Sequence, residues 1–326
     1  MVSHRVPIRT LTILALTTLL LAISMLVIAC GGGDAKLPPG RFAFLSPAGR
    51  PSVFDLQERK VVWEAPDGDC GQPAWSPDGK AMAYLARQKE PISATLVIYR
   101  FDSKTTISVG VPADKLVFLG ESPDVPGEVD WAPSGQYLMV GGPGYPEGST
   151  TFYDASDGKV VCETHGGGHR WSPEGDKVFL RQNRQDYKDP ALERADLVVA
   201  DLRTGSVSVI KEAAPGHWLG PAYWDKDRGL VYYDSTPDAK NPDPVRYFDL
   251  KGDERPQPPS PKNPLPKDFH LPKKTGDFTS EERVNAKTGD VLYVVGKDKA
   301  LTVWIYLAKT KRSVELVPGW HIEWQP

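Results

Sequence analysis

The stretch Trp75-Ser76-Pro77-Asp78-Gly79 decides how this chain is read. It separates two apolar runs, Gln72 to Trp75 and Ala81 to Ala86, and has the chemistry of a hairpin turn. Pro77 presets φ at the first corner, Asp78 caps it, and Gly79 takes the left-handed position. The same turn recurs as Trp131-Ala132-Pro133-Ser134-Gly135 and as Trp171-Ser172-Pro173-Glu174-Gly175. A turn repeated at intervals of tens of residues marks a repeat protein.

Outward from these turns the chain resolves into short strands with no sustained helical period, so the expected class is all-β. Arg41 to Leu45, Ser52 to Leu56 and Lys60 to Glu64 form a first unit of three strands. Four-strand units then begin at Gln72, Glu128 and His169. A fifth starts at Pro221 with a degenerate turn, Asp225 to Gly229, and its last strand is hard to place; a sixth runs from Arg283 to Val317. The chain ends on His321-Ile322-Glu323-Trp324-Gln325-Pro326, the opening of another repeat. The terminal stretch therefore supplies the inner strand that the first unit lacks, and this shared unit closes a ring and removes its open edges. The expectation is six four-stranded antiparallel blades over residues 40–326, or seven if strands hide between Ala113 and Pro126.

Carried on Ala74-Trp75-Ser76-Pro77-Asp78-Gly79-Lys80, Val129 to Gly135 and His169 to Gly175, the repeats resemble those of TolB-type β-propellers. The resemblance implies a propeller that holds extended peptides at the mouth of its central channel and serves as an adaptor in envelope complexes. The N-terminal domain usual in that adaptor has no counterpart in this sequence, so the resemblance names no partner. Trp75, Trp131, Trp171, Trp224 and Trp324 share one motif position and are expected to be core side chains packed between blades.

The N-terminus reads differently. Arg5 and Arg9 precede an apolar run from Leu11 to Ile28, a secretion signal over residues 1–29. Val27-Ile28-Ala29-Cys30 resembles the lipobox of bacterial lipoproteins, in which the Cys thiol receives diacylglycerol before cleavage; an uncleaved membrane anchor is the alternative. Residues 30–39 would then be a lipidated Cys30 and a flexible tether, with the domain on the outer side of a bacterial membrane, periplasmic or at the cell surface. Export permits a Cys70–Cys162 disulfide without requiring it. A formal net charge of −3 gives no bias toward polyanions and excludes nucleic acid as an expected partner.

Candidate binding residues lie opposite the repeated turns, where connections of unequal length gather: 87–94, 111–127, 141–149, 182–194, 235–243 and a Pro-rich excursion, Glu254 to Lys274. His165-Gly166-Gly167-Gly168-His169, His217-Trp218 and Trp320-His321 stand at entries to inner strands and would line a funnel for a peptide or glycan. No Gly-x-Ser-x-Gly elbow or phosphate loop occurs, and no catalytic residue, cofactor or metal is expected. The main reading is a monomeric propeller that binds an envelope protein, peptide or glycan. The alternative, a channel-mouth metal enzyme of the lactonase, cyclase or lyase kind, requires Glu128, His169, His217, His321 and Glu323 to converge.

Overall fold

A computed structural model describes residues 36–88, 93–111, 128–141, 149–184, 193–236, 245–258, 265–267, 269, 279–297 and 300–326. The signal segment, Cys30 and much of the unequal connections lie outside the described residues, as does the whole of the 113–126 stretch on which a seventh blade would rest. Residues Pro39–Pro326 form one compact unit.

Among the described residues that unit is built wholly of strands, which fall into successive groups. The first is β1 (Arg41–Leu45), β2 (Pro51–Asp55) and β3 (Lys60–Glu64). The second is β4 (Ala74–Trp75), β5 (Ala81–Gln88), β6 (Ser93–Arg100) and β7 (Thr105–Val111). The third is β8 (Glu128–Trp131), β9 (Tyr137–Gly141), β10 (Ser149–Asp154) and β11 (Val160–His165). Then come β12 (Gly167–Trp171), β13 (Lys177–Arg184), β14 (Arg194–Asp201) and β15 (Ser206–Lys211), followed by β16 (Trp218–Asp225), β17 (Gly229–Ser235), β18 (Arg246–Asp249) and β19 (Glu254–Arg255). The last is β20 (Thr279–Val284), β21 (Val291–Lys297), β22 (Ala300–Leu307) and β23 (Arg312–Pro318), and the chain ends in β24 (Trp320–Trp324). β24 pairs antiparallel with β1, with Phe42 opposite Trp324 and Ala43 opposite Glu323, so the first group is completed from the C-terminus as its missing strand required.

The repeated turn has the expected construction. The Gly79 N–H donates to the Ser76 carbonyl (2.8 Å), and Gly135 and Gly175 repeat this bond to Ala132 and Ser172. All three glycines have φ near 70°, the left-handed region open to glycine. Asp78 accepts from the Ser76 hydroxyl (2.6 Å) and the Lys80 N–H (3.0 Å), the first bond chiefly holding its carboxyl below the usual range.

Face-to-face packing of successive sheets explains the composition of the strands. A second strand such as Tyr137–Gly141 is sandwiched between neighbouring groups and is apolar on both faces: Leu138 joins the core shared with β4–β7, and Met139 the core shared with β12–β15. Outer strands have only one covered side, and all residues of Ser206–Lys211 are exposed. Burying a residue such as Leu138 contributes roughly 1.5–3 kcal/mol.

Three expectations need correction. Trp75 and Trp131 are buried, but Trp171 and Trp324 are half-buried and Trp224 is 38% exposed against Phe179. The inter-sheet slot they enter is not equally deep at every junction. Second, Glu254 and Arg255 are not part of an irregular excursion: they pair with Phe248 and Tyr247 as the strand that sequence could not place. Third, the fourth and fifth groups are not separate sheets, because Ala195 of β14 pairs in parallel with Trp218 of β16.

Candidate functional site

Strand alternation assigns the connections to two edges. The repeated turns follow each inner strand on one edge, so every chain entry into an inner strand lies on the other. His165 and Gly166 lead into β12, His217 leads into β16 and Gly319 leads into β24, whereas His169 lies in the middle of β12 and His321 within β24.

Local geometry shows why these entries have their residues. A Cβ on Gly166 would sit 2.4 Å from the Arg181 carbonyl oxygen, and one on Gly319 would be 2.4 Å from the Phe44 ring. Glycine is required at both because the chain crosses directly over a neighbouring strand. At the third entry, buried Asp196 accepts from the Ala213 N–H (2.9 Å) and lies 3.1 Å from Arg184 Nε. The Ala195 N–H donates to the His217 carbonyl (3.0 Å), so this connection is fastened to β14 before it presents its side chains.

His217 and Trp218 emerge from that fastened segment. His217 Nδ1 is 2.9 Å from Asp234 Oδ1, and both side chains are partly exposed. The Arg181 guanidinium stands 5.4 Å from the centroid of the half-buried Trp218 ring and also reaches the Tyr233 hydroxyl (3.4 Å). This is a cation–aromatic platform on a partly exposed indole.

Toward the centre, the inner strands are stitched to one another by polar bonds. The Trp131 indole N–H donates to the Ala74 carbonyl (3.0 Å), and the Trp324 indole N–H donates to the Arg283 carbonyl (2.9 Å). At the next junction the acceptor is a side chain: Asp130 Oδ2 takes the Trp171 indole N–H (2.8 Å) and lies 2.7 Å from His169 Nε2. Arg170 donates to the Ala222 carbonyl (2.9 Å). Glu323 accepts from the Trp75 N–H (3.1 Å), and Glu281 accepts from the Ile322 N–H (3.1 Å) while holding Arg283 (2.8 Å). Asp130, Arg170 and Glu323 sit immediately before a motif tryptophan; the sequence reading singled out Glu323 and passed over Asp130 and Arg170. A polar residue there in a stretch otherwise suited to burial was the available signal.

Inner strands following one another in this way, each leading its own run of antiparallel strands with β24 completing the first, decide the architecture. The chain is a β-propeller. No protein-family model matches it, and no curated protein does. Solved structures similar to this propeller include TolB from Acinetobacter baumannii, at 16% identity over 90% of this chain and 69% of that one, with a TM-score of 0.43. The β-propeller domain of the Trilobed protease from Pyrococcus furiosus is 11% identical over 83% of this chain and 75% of that one, with a TM-score of 0.44. A putative TolB from Agrobacterium tumefaciens is 14% identical over 89% of this chain and all of that one, with a TM-score of 0.37.

The propeller's electrostatics follow from the stitching. Burial pushes the Asp130 carboxyl up, but the bonds from His169 and Trp171 outweigh it and leave the group below the usual carboxylate range. Burial, opposed by the Glu281 charge, lowers His321. Its Nδ1 lies 3.8 Å from Glu281 Oε2, and its backbone is in the left-handed region at φ 53°. His169, His217 and His321 thus each face a carboxylate of their own, and no three His, Cys, Asp or Glu among the described residues are placed to hold a metal ion. The side chain of Glu128 lies outside the described residues. Cys70 and Cys162 are buried free thiols, not a disulfide.

Proposed function

We propose that this chain is an extracytoplasmic binding module, tethered to the outer side of a bacterial membrane through lipid on Cys30. Its loop-rich edge takes up a segment of an envelope protein, peptide or glycan. The observation that carries this reading is the Trp218 platform. A half-buried indole, stacked with Arg181, flanked by the His217–Asp234 pair and anchored through Asp196, is preformed and presents both an apolar face and hydrogen-bonding groups. Such a surface suits an extended peptide or a sugar ring, because ordering it costs little at the moment of binding. Trp320 enters β24 on the same edge and widens the surface available to a partner.

The test is capture from envelope extract by the full chain, compared with a variant carrying His217→Ala, Trp218→Ala and Trp320→Ala, both shown folded by their melting transitions. A partner held by the wild type and lost by the triple variant supports the edge as the binding surface. A partner held equally by both places binding elsewhere and overturns this assignment.

A further inference from the structure

We propose a second binding site, on the edge of the repeated turns: a cavity between the turns of the second and third groups that takes a short zwitterionic ligand, an amino acid or dipeptide with both ends free. The three tryptophan turns can be compared where each meets the group before it. A Cβ on Gly79 would lie 3.1 Å from the Gln325 side chain, whose amide donates to the Gly79 carbonyl (2.7 Å). One on Gly175 would lie 2.7 Å from the Ser134 backbone nitrogen. At Gly135 the nearest atom is Pro77 Cδ at 3.7 Å, an ordinary contact. At this looser junction a cavity of about 450 Å³ opens, with Pro77, Asp78, Lys80, Arg100, Asp102 and Pro133 among its walls. That is the size of a small-molecule pocket.

Arg100 breaks the rule of the repeat. It pairs with Ala81 at the end of its strand as Asp154 pairs with Tyr137 and Asp201 with Lys177. Those aspartates cap their own turns by accepting the N–H two residues on. A guanidinium cannot accept, so Arg100 forgoes the cap. Its Nη2 donates instead to the Ala155 carbonyl (2.8 Å) of the next group, which fixes the half-buried guanidinium at the cavity without neutralising it. Neither Arg100 nor Lys80 forms a salt bridge among the described residues. The carboxylates are only half used. Asp78 Oδ1 takes the Ser76 hydroxyl and the Lys80 N–H, and Asp102 Oδ1 takes the Ser103 N–H, so each Oδ2 has no hydrogen bond among the described residues. Two cations and two carboxylates thus line one cavity, a set that pairs a bound carboxylate and a bound ammonium together. A simple anion would meet Arg100 and Lys80 but also Asp78 and Asp102.

The test is isothermal titration of the full chain, purified in detergent, with alanyl-alanine, its N-acetylated form and its C-terminal amide. The expected result is saturable binding of alanyl-alanine, with each capped form weaker by about tenfold or more, the loss that follows from removing one charge-assisted bond. Arg100→Asp, which puts the repeat's own residue at that strand end, is expected to keep the melting transition and lose the binding. Arg100→Gln should do the same without adding a charge. No saturable binding of alanyl-alanine up to about 10 mM overturns the proposal. Equal affinity for either capped form overturns it as well, since the cavity would then recognise one charge and not two. Undiminished binding by folded Arg100→Gln places the ligand elsewhere and overturns the assignment.

Discussion

At the scale of single residues, the same motif tryptophan does unequal work. Trp131 is buried and spans two inner strands through its indole N–H, so Trp131→Ala is expected to cost about 3–5 kcal/mol. Trp224 occupies the equivalent position but is 38% exposed, and Trp224→Ala should cost about 1 kcal/mol or less. Denaturant melts of the two variants check the contrast; equal losses would sink it. Asp130 carries a second prediction. Its folded-state carboxyl is lowered, so the stability it contributes is present above the ordinary aspartate range and is lost as pH falls through the lowered value. Asp130→Asn should therefore flatten the acid limb of the stability curve, which a series of melts below about pH 5 would show. The thiols of Cys70 and Cys162 are pushed by burial up to about 12 and about 11, so both should resist a thiol reagent in the folded chain and react on unfolding.

At the scale of elements, a second turn signature recurs beside the tryptophan turn. The third strand of several groups ends in Asp, whose Oδ1 accepts the N–H two residues on: Asp55 from Gln57 (2.9 Å), Asp154 from Ser156 (2.7 Å), Asp201 from Arg203 (3.1 Å) and Asp249 from Lys251 (3.0 Å). Asp201→Ala is expected to cost about 1 kcal/mol in a thermal melt, the net worth of one such bond. This signature was present in sequence as Asp-Leu or Asp-Ala before a polar residue, yet it is weak because short Asx turns occur in any loop. The strands themselves were well placed by pattern, since middle strands covered on both faces must be continuously apolar. The pairing of β14 with β16 was not legible: it depends on a connection being pinned by Asp196, which lies far from Ala213 in sequence.

For the whole molecule, closure by β24 joins the first group to the rest of the propeller. Gln325 extends that closure, donating from its backbone to the Arg41 carbonyl (3.0 Å) and from its side chain to the Gly79 carbonyl (2.7 Å). Removing residues 320–326 should expose the edge of β1 and lower the melting temperature by many degrees, measured by circular dichroism. By itself the sequence determined the all-β class, the repeat register and the shared first sheet. These follow from local turn chemistry and period-two burial, which adjacent residues write directly. Only the tertiary structure decided which tryptophans are buried and that His169, His217 and His321 face separate carboxylates. It alone set Glu323 on the Trp75 N–H and Glu281 on the Ile322 N–H. Those outcomes depend on how residues remote in sequence meet across the ring, where burial and like charge act through space and leave no local pattern.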